Sequence, residues 1–306
     1  MPANSYELRI EDQQLRLQNW IREPLVLRTH LLLSCVIASP MGAAISSFMR
    51  LLRRFTSRND KLFTPLIRTT LFILTFILFM PPLPLLCQED PAAAWHLLYL
   101  KIRDSKISKE EALTKLKSLE PLLKDHNIKS SNRKSEDRLG FPLKGSGPRA
   151  IGGKDGSGYQ IEGYDFFDGN RHKGHPGHDI FIRDKNQDGL DDVNGRPIEV
   201  ISVATGIVVS ANLNWEPSSP IRGGNYVWIY DPIKSRYCYY AHLNEIFVSV
   251  GQIVSKADRL GTLGRTGVKA YPKRSPTHLH FVVHHSVAGY PKPINPYLEL
   301  IRATNY

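Results

Sequence analysis

Eight of the eleven histidines in this chain fall between positions 172 and 285, in three groups. The first reads His172-Lys-Gly-His175-Pro-Gly-His178-Asp179-Ile, the second Tyr240-Ala-His242-Leu, and the third Thr277-His278-Leu-His280-Phe, followed by His284-His285. Side chains alternate along a strand, so a His-x-His pair sets both imidazoles on one face, where they can share a site. A His and an Asp four residues apart near a strand start add further donors. Two imidazoles and a carboxylate suit zinc in the sites where it keeps one position open for water. Each piece is weak alone; their combination and order give them weight.

Parity and reach sort the other candidates. His178 adjoins Asp179 and points to the opposite face of a strand, and His172 reads as a surface or groove residue. His284 shares the parity of His280, but four residues along a strand is roughly 13 Å, beyond a common ligand shell. Cys238 shares the parity of His242 and reads as a buried thiol. Asp184, Asn186, Asp188 and Asp192 place oxygen donors at alternate positions with Gly189 sixth, as a calcium loop does. Its twelfth position is Gly195 instead of Glu, so a solvated acidic turn is preferred over a Ca2+ site. Gly261-Thr-Leu-Gly264-Arg-Thr-Gly267 is followed by no helix-forming run, which favours turns between strands over a phosphate loop.

The elements that must carry these residues are mostly strands. Val200–Val209, Tyr226–Tyr230, Tyr237–Ala241 and His278–His285 are β-branched or aromatic runs bounded by Gly, Pro, Asn and Asp. The expected fold class is mainly β, an antiparallel sheet or sandwich over 138–306. Residues 92–125 predict helix, with Leu97, Leu98, Ile102, Leu113, Leu116, Leu119 and Leu122 at three- and four-residue spacings. Ser108-Lys-Glu-Glu has the form of an N-cap with acids in the first turn. A helical hairpin or stalk over 88–125 and a polar linker over 126–137 are expected.

From about Gly163 to His285 the sequence resembles the lysostaphin/LytM-type zinc endopeptidases, which have a duplicated-hybrid-motif-like fold and cut peptide cross-links in bacterial peptidoglycan. The matching segments are His175-Pro-Gly-His-Asp179-Ile, Val203-Ala-Thr-Gly-Ile-Val-Val209 and Tyr240-Ala-His242-Leu-Asn-Glu-Ile. They continue with Val250-Gly-Gln-Ile-Val254, Leu260-Gly-Thr-Leu-Gly-Arg-Thr-Gly267 and Thr277-His278-Leu-His280-Phe-Val. The resemblance implies one Zn2+ held by His175, Asp179 and His280, with His242 and His278 as the catalytic histidines. It leaves open which of those two does which, and which cross-link is cut. The alternative is a catalytically silent relative that grips the cell wall or activates another hydrolase; all five positions are filled, which favours catalysis.

Residues 1–87 read as an export region. Leu71 to Cys87 carries no charge and comes after Arg50, Arg53, Arg54, Arg58, Lys61 and Arg68, opposed only by Asp60. A basic flank before an apolar run marks a signal peptide or an N-terminal membrane anchor. The run is short for a span of roughly 20 residues and holds Pro81, Pro82 and Pro84, so cleavage and retention both stay open. Cys87 lacks the small residues that precede a lipid-attachment cysteine. Leu31–Met49 is a second, weaker uncharged stretch, and Met49 is an alternative start that would make 1–48 an extension of the reading frame ahead of it. Either topology exports the remainder of the chain to the bacterial cell envelope, outside the cytoplasm.

The net charge of +11 invites a nucleic-acid partner. Its distribution argues against one. Residues 1–136 hold 20 basic and 13 acidic side chains, whereas residues 137–306 hold 20 and 16, interleaved instead of massed. Three scattered cysteines exclude a disulfide framework.

Overall fold

The computed structural model describes residues 90–130, 138–272 and 275–306. The export segment, the alternative start at Met49 and Cys87 lie outside them. Among the described residues no helix is long and apolar enough to cross a membrane.

The domain is mainly antiparallel β. Its strands are β1 (Gly177–Phe181), β2 (Glu199–Ile201), β3 (Gly206–Asn212), β4 (Asn225–Asp231) and β5 (Arg236–Ile246). They continue as β6 (Ile253–Val254), β7 (Arg259–Leu263), β8 (His278–Val287) and β9 (Tyr290–Ile294). The main path runs β1-β8-β5-β4-β3-β6, with β9 on β8 and β2 on β7. The long strand β5 belongs to three ladders: its first part pairs with β4 and β8, and its end pairs with β7. Alternation gives the sheet two apolar faces. Val227, Ile229, Cys238, Tyr240, Leu279, Phe281 and Val283 point into a core shared with Val200, Leu260 and Leu263 of the β2–β7 ladder.

The opposite face is covered by the helical hairpin. Helix α1 (Pro91–Arg103) starts at Asp90, whose carboxylate accepts from the Ala92 N–H at 3.0 Å, and α2 (Lys109–Ser130) starts at Ser108, whose hydroxyl accepts from the Glu111 N–H at 3.2 Å. A short α3 (Tyr297–Leu300) lies near the C-terminus. Ala92, Trp95, Leu98, Ile102, Ala112, Leu116 and Leu123 bury against Ile207, Val209, Tyr226, Trp228, Tyr230 and Tyr237. Polar contacts fix the docking: Glu120 accepts from the Tyr230 hydroxyl at 3.1 Å and from Ser286 at 2.7 Å, while Arg103 donates to the Tyr226 hydroxyl at 3.2 Å.

Three expectations change here. The hairpin is not a separate stalk, because its buried face is one wall of the sheet's second core; a boundary at 137/138 would cut that core. The second helix also runs past 125 to Ser130, into the segment read as linker. Leu97 and Leu122, counted among the periodic positions, are exposed, and Trp95 fills the interface instead.

Candidate active site

Asp179 on β1 and His280 on β8 are direct register partners, and His280 also faces Ala241 on β5. Alternation sends Leu279, Phe281 and Val283 into the inner core and leaves His278, His280 and His284 on the other face. His175 lies just before β1, where it exchanges backbone hydrogen bonds with Gln160.

These three side chains converge. The Asp179 Oδ1 is 3.1 Å from His175 Nε2 and 3.0 Å from His280 Nδ1. One donor atom from each of His175, Asp179 and His280 lies within 4.8 Å of the others, the one such group among the described residues. Two imidazoles and a carboxylate in this arrangement fit a zinc ion with an open position. His175 is oriented for it: Nδ1 donates to the Gly158 carbonyl at 2.7 Å, which leaves Nε2 facing the cluster.

His242 and His278 complete the group. Their rings are 4.9 Å apart, and His278 Nε2 is 3.7 Å from Asp179 Oδ1. In both, Nδ1 donates 2.7 Å to a backbone carbonyl, Thr266 for His242 and Pro276 for His278. Both therefore turn Nε2 toward the groove, a tautomer assigned from the hydrogen-bond network.

His242 reaches the site only through a break in its strand. Asn225 pairs with Leu243 and Tyr226 with Ala241, so His242 is the extra residue of a β-bulge. It holds φ 69°, a left-handed conformation that costs a non-glycine residue free energy. Its backbone is clamped on both sides, donating to the Gly223 carbonyl and accepting from the Gly264 N–H, each at 2.9 Å. Parity, which would set Cys238 and His242 on one face, breaks at this bulge: Cys238 points into the inner core and His242 into the groove.

The electrostatics follow burial. Desolvation lowers His242 to about 3, with His278 and His280 adding to it, and it lowers His280 as well. Burial alone would raise Asp179, but hydrogen bonds from His175 and His280 hold its carboxyl well below the usual range. His175 is raised: desolvation opposes this, and the hydrogen bond and charge of Asp179 prevail.

The site opens into a cavity of about 290 Å³ lined by the five residues together with His172, Arg222, Tyr239 and Lys269. No described residue of α1 or α2 lines it. A larger cavity of about 670 Å³ runs beside Gly145–Ile151 and lacks any such cluster, so chemistry and not volume marks the site. His178 is buried and bonds Asn295 at 2.8 Å, and His284 is buried against the Tyr164 hydroxyl at 2.7 Å; neither joins the cluster.

The less favoured calcium reading of this loop finds no support. The Asp184 carboxylate accepts from the N–H groups of Asp188 and Gly189 and from the Thr277 hydroxyl at 2.6 Å. Asp188 accepts from Leu190 N–H and Asn186, and Asp192 from Lys185 N–H. The loop spends its oxygens on its own turns. Buried Asp184 instead anchors Thr277, the residue before His278, and Arg265 donates to the same hydroxyl at 2.8 Å.

Residues 185–296 match peptidase family M23. His175 and Asp179 precede that stretch. Among solved structures the chain is similar to a zinc-containing peptidase from Vibrio cholerae, at 23% identity and TM-score 0.33, covering 53% of this chain and 40% of that one. It is also similar to the catalytic domain of the antimicrobial peptidase lysostaphin from Staphylococcus simulans, at 19% identity and TM-score 0.31, covering 57% of this chain and 96% of that one. Comparison with curated protein sequences returns no match.

Proposed function

We propose that this chain, whose residues 185–296 match peptidase family M23, is a zinc-dependent endopeptidase that hydrolyses peptide cross-links of bacterial peptidoglycan. One observation carries the reading: His175, Asp179 and His280 converge on one point, and two more imidazoles present Nε2 to the same groove.

His175, Asp179 and His280 would hold the metal. When bound, zinc supplies Lewis acidity, which acidifies water and polarises the scissile carbonyl. The protein's own part is proton handling. With Nδ1–H committed to a carbonyl, Nε2 of His242 and of His278 is a lone pair, on rings 4.9 Å apart. Between them they accept the proton of the attacking water and return one to the leaving amine. Burial keeps His242 neutral at pH 7, so its Nε2 carries a lone pair. The carbonyls of Thr266 and Pro276 prevent the rings from flipping, so no reorganisation is needed at the moment of reaction.

The basic and apolar segment at 50–87 would deliver the domain outside the cytoplasm, as a cleaved signal or an anchor. The N-terminus of protein recovered from cells, read by mass spectrometry, decides between them.

The test incubates the full chain with purified sacculi, with and without a chelator. New amine ends that disappear with chelator, and with His242→Ala, are expected. A zinc-loaded chain that binds sacculi but releases no amines would replace the peptidase with a wall-binding module.

A further inference from the structure

Among the described residues, the groove holds two cations that the proposed hydrolysis does not use. Arg222, in the turn before β4, and Lys269, in the loop after β7, line the same cavity as the five site residues. That lining contains one carboxylate, Asp179, already engaged by His175 and His280. Neither Arg222 nor Lys269 pairs with a carboxylate among the described residues.

Arg222 is fixed in place. Its backbone N–H reaches Asn170 Oδ1 at 3.4 Å, and its Nη1 donates to the His172 carbonyl. That leaves Nε and Nη2 without an acceptor among the described residues, in a half-buried guanidinium. A partly desolvated cation with unused parallel donors matches a carboxylate, which takes two hydrogen bonds side by side. Lys269 is exposed on the same groove and adds a second positive charge.

Resting on the peptidase reading above, we infer that the groove selects peptides with a free carboxylate beside the scissile bond, gripped by Arg222 and assisted by Lys269. The preferred substrate class is therefore an anionic stem peptide. A neutral oligoglycine bridge offers these donors no partner.

The test uses the full zinc-loaded chain and two cross-linked stem peptides that differ only in one group, a free carboxylate or its amide. Turnover is measured for both, and binding of both is measured by fluorescence anisotropy with chelator-treated protein. The acid is expected to lead in kcat/KM and in affinity by about tenfold, the size of one charge-assisted pair. R222Q should collapse the ratio, R222K should restore part of it, and K269Q should reduce it less. Equal handling of acid and amide, or a ratio unchanged in R222Q, overturns the inference. If neither peptide is cut, the peptidase reading fails, and the binding ratio alone decides the role of Arg222.

Discussion

The Nδ1 of His242 lies 2.7 Å from the Thr266 carbonyl oxygen, and this contact decides which nitrogen of a buried histidine meets the groove. His242→Ala removes one of the two imidazoles that handle protons without touching a metal donor. Hydrolysis of wall peptides should fall about 10²–10⁴-fold, with zinc content unchanged by metal analysis. Loss of zinc in this variant would place His242 among the ligands.

Asp179 and His280 hold the opposite role. Asp179→Ala or His280→Ala removes one of three donors, so the purified chain should lose both its zinc and its hydrolysis, while the circular dichroism of the sheet persists. Retention of stoichiometric zinc in either variant would contradict the ligand assignment.

Gly267 backs the His242 ring. It sits at φ 107°, and a Cβ there would lie 2.4 Å from the Arg222 carbonyl and 2.9 Å from His242 Nδ1. Gly267→Ala must push the imidazole or its loop aside. A displacement on the order of 1 Å costs about 100-fold in rate, to be read in kcat with zinc content and fold retained.

His284 predicts a pH dependence of stability. Burial lowers it to about 3 from 6.5, with His172 and His280 adding to the effect. The unfolded chain binds a proton that the folded chain refuses. Stability from this group is complete above about pH 6.5 and is lost as pH falls toward about 3, at about 1.4 kcal/mol per pH unit within the window. Urea unfolding at about pH 7 and about pH 5 should show this slope reduced by about one proton in His284→Asn. An identical slope in the variant would mean that His284 titrates alike in both states.

Trp95 tests the unity of hairpin and sheet. It is fully buried, stacked on Tyr99 and Tyr237 at 5.4 and 5.3 Å. Trp95→Ala should cost about 3–5 kcal/mol in chemical denaturation, within a single transition that also melts the sheet. A separate early transition for the helices would mean that the hairpin is only appended.

The candidate donors His175, Asp179 and His280, which the fold brings together, were legible in the sequence because they are marked by residue type and spacing. Eight of the eleven histidines cluster between 172 and 285, and strand alternation alone puts His278 and His280 on one face. The mainly β domain and the helix that Ser108 caps are equally readable from local patterns. Other features depend on partners far apart in the chain. The sequence could not show that His242 is a bulge residue, since a bulge is defined by the strand opposite. Nor could it show that Gly158, Thr266 and Pro276 orient the imidazoles, because every residue has a carbonyl and only packing selects three. Asp184 looked like a metal ligand by spacing, yet its oxygens are filled by N–H groups of its own turn and by Thr277. Trp95 joins the hairpin to the sheet through a core that no local window contains. Sequence determined which groups could bind a metal and move a proton; the tertiary structure decided which nitrogen of each points where, because that depends on contacts between residues far apart in the chain.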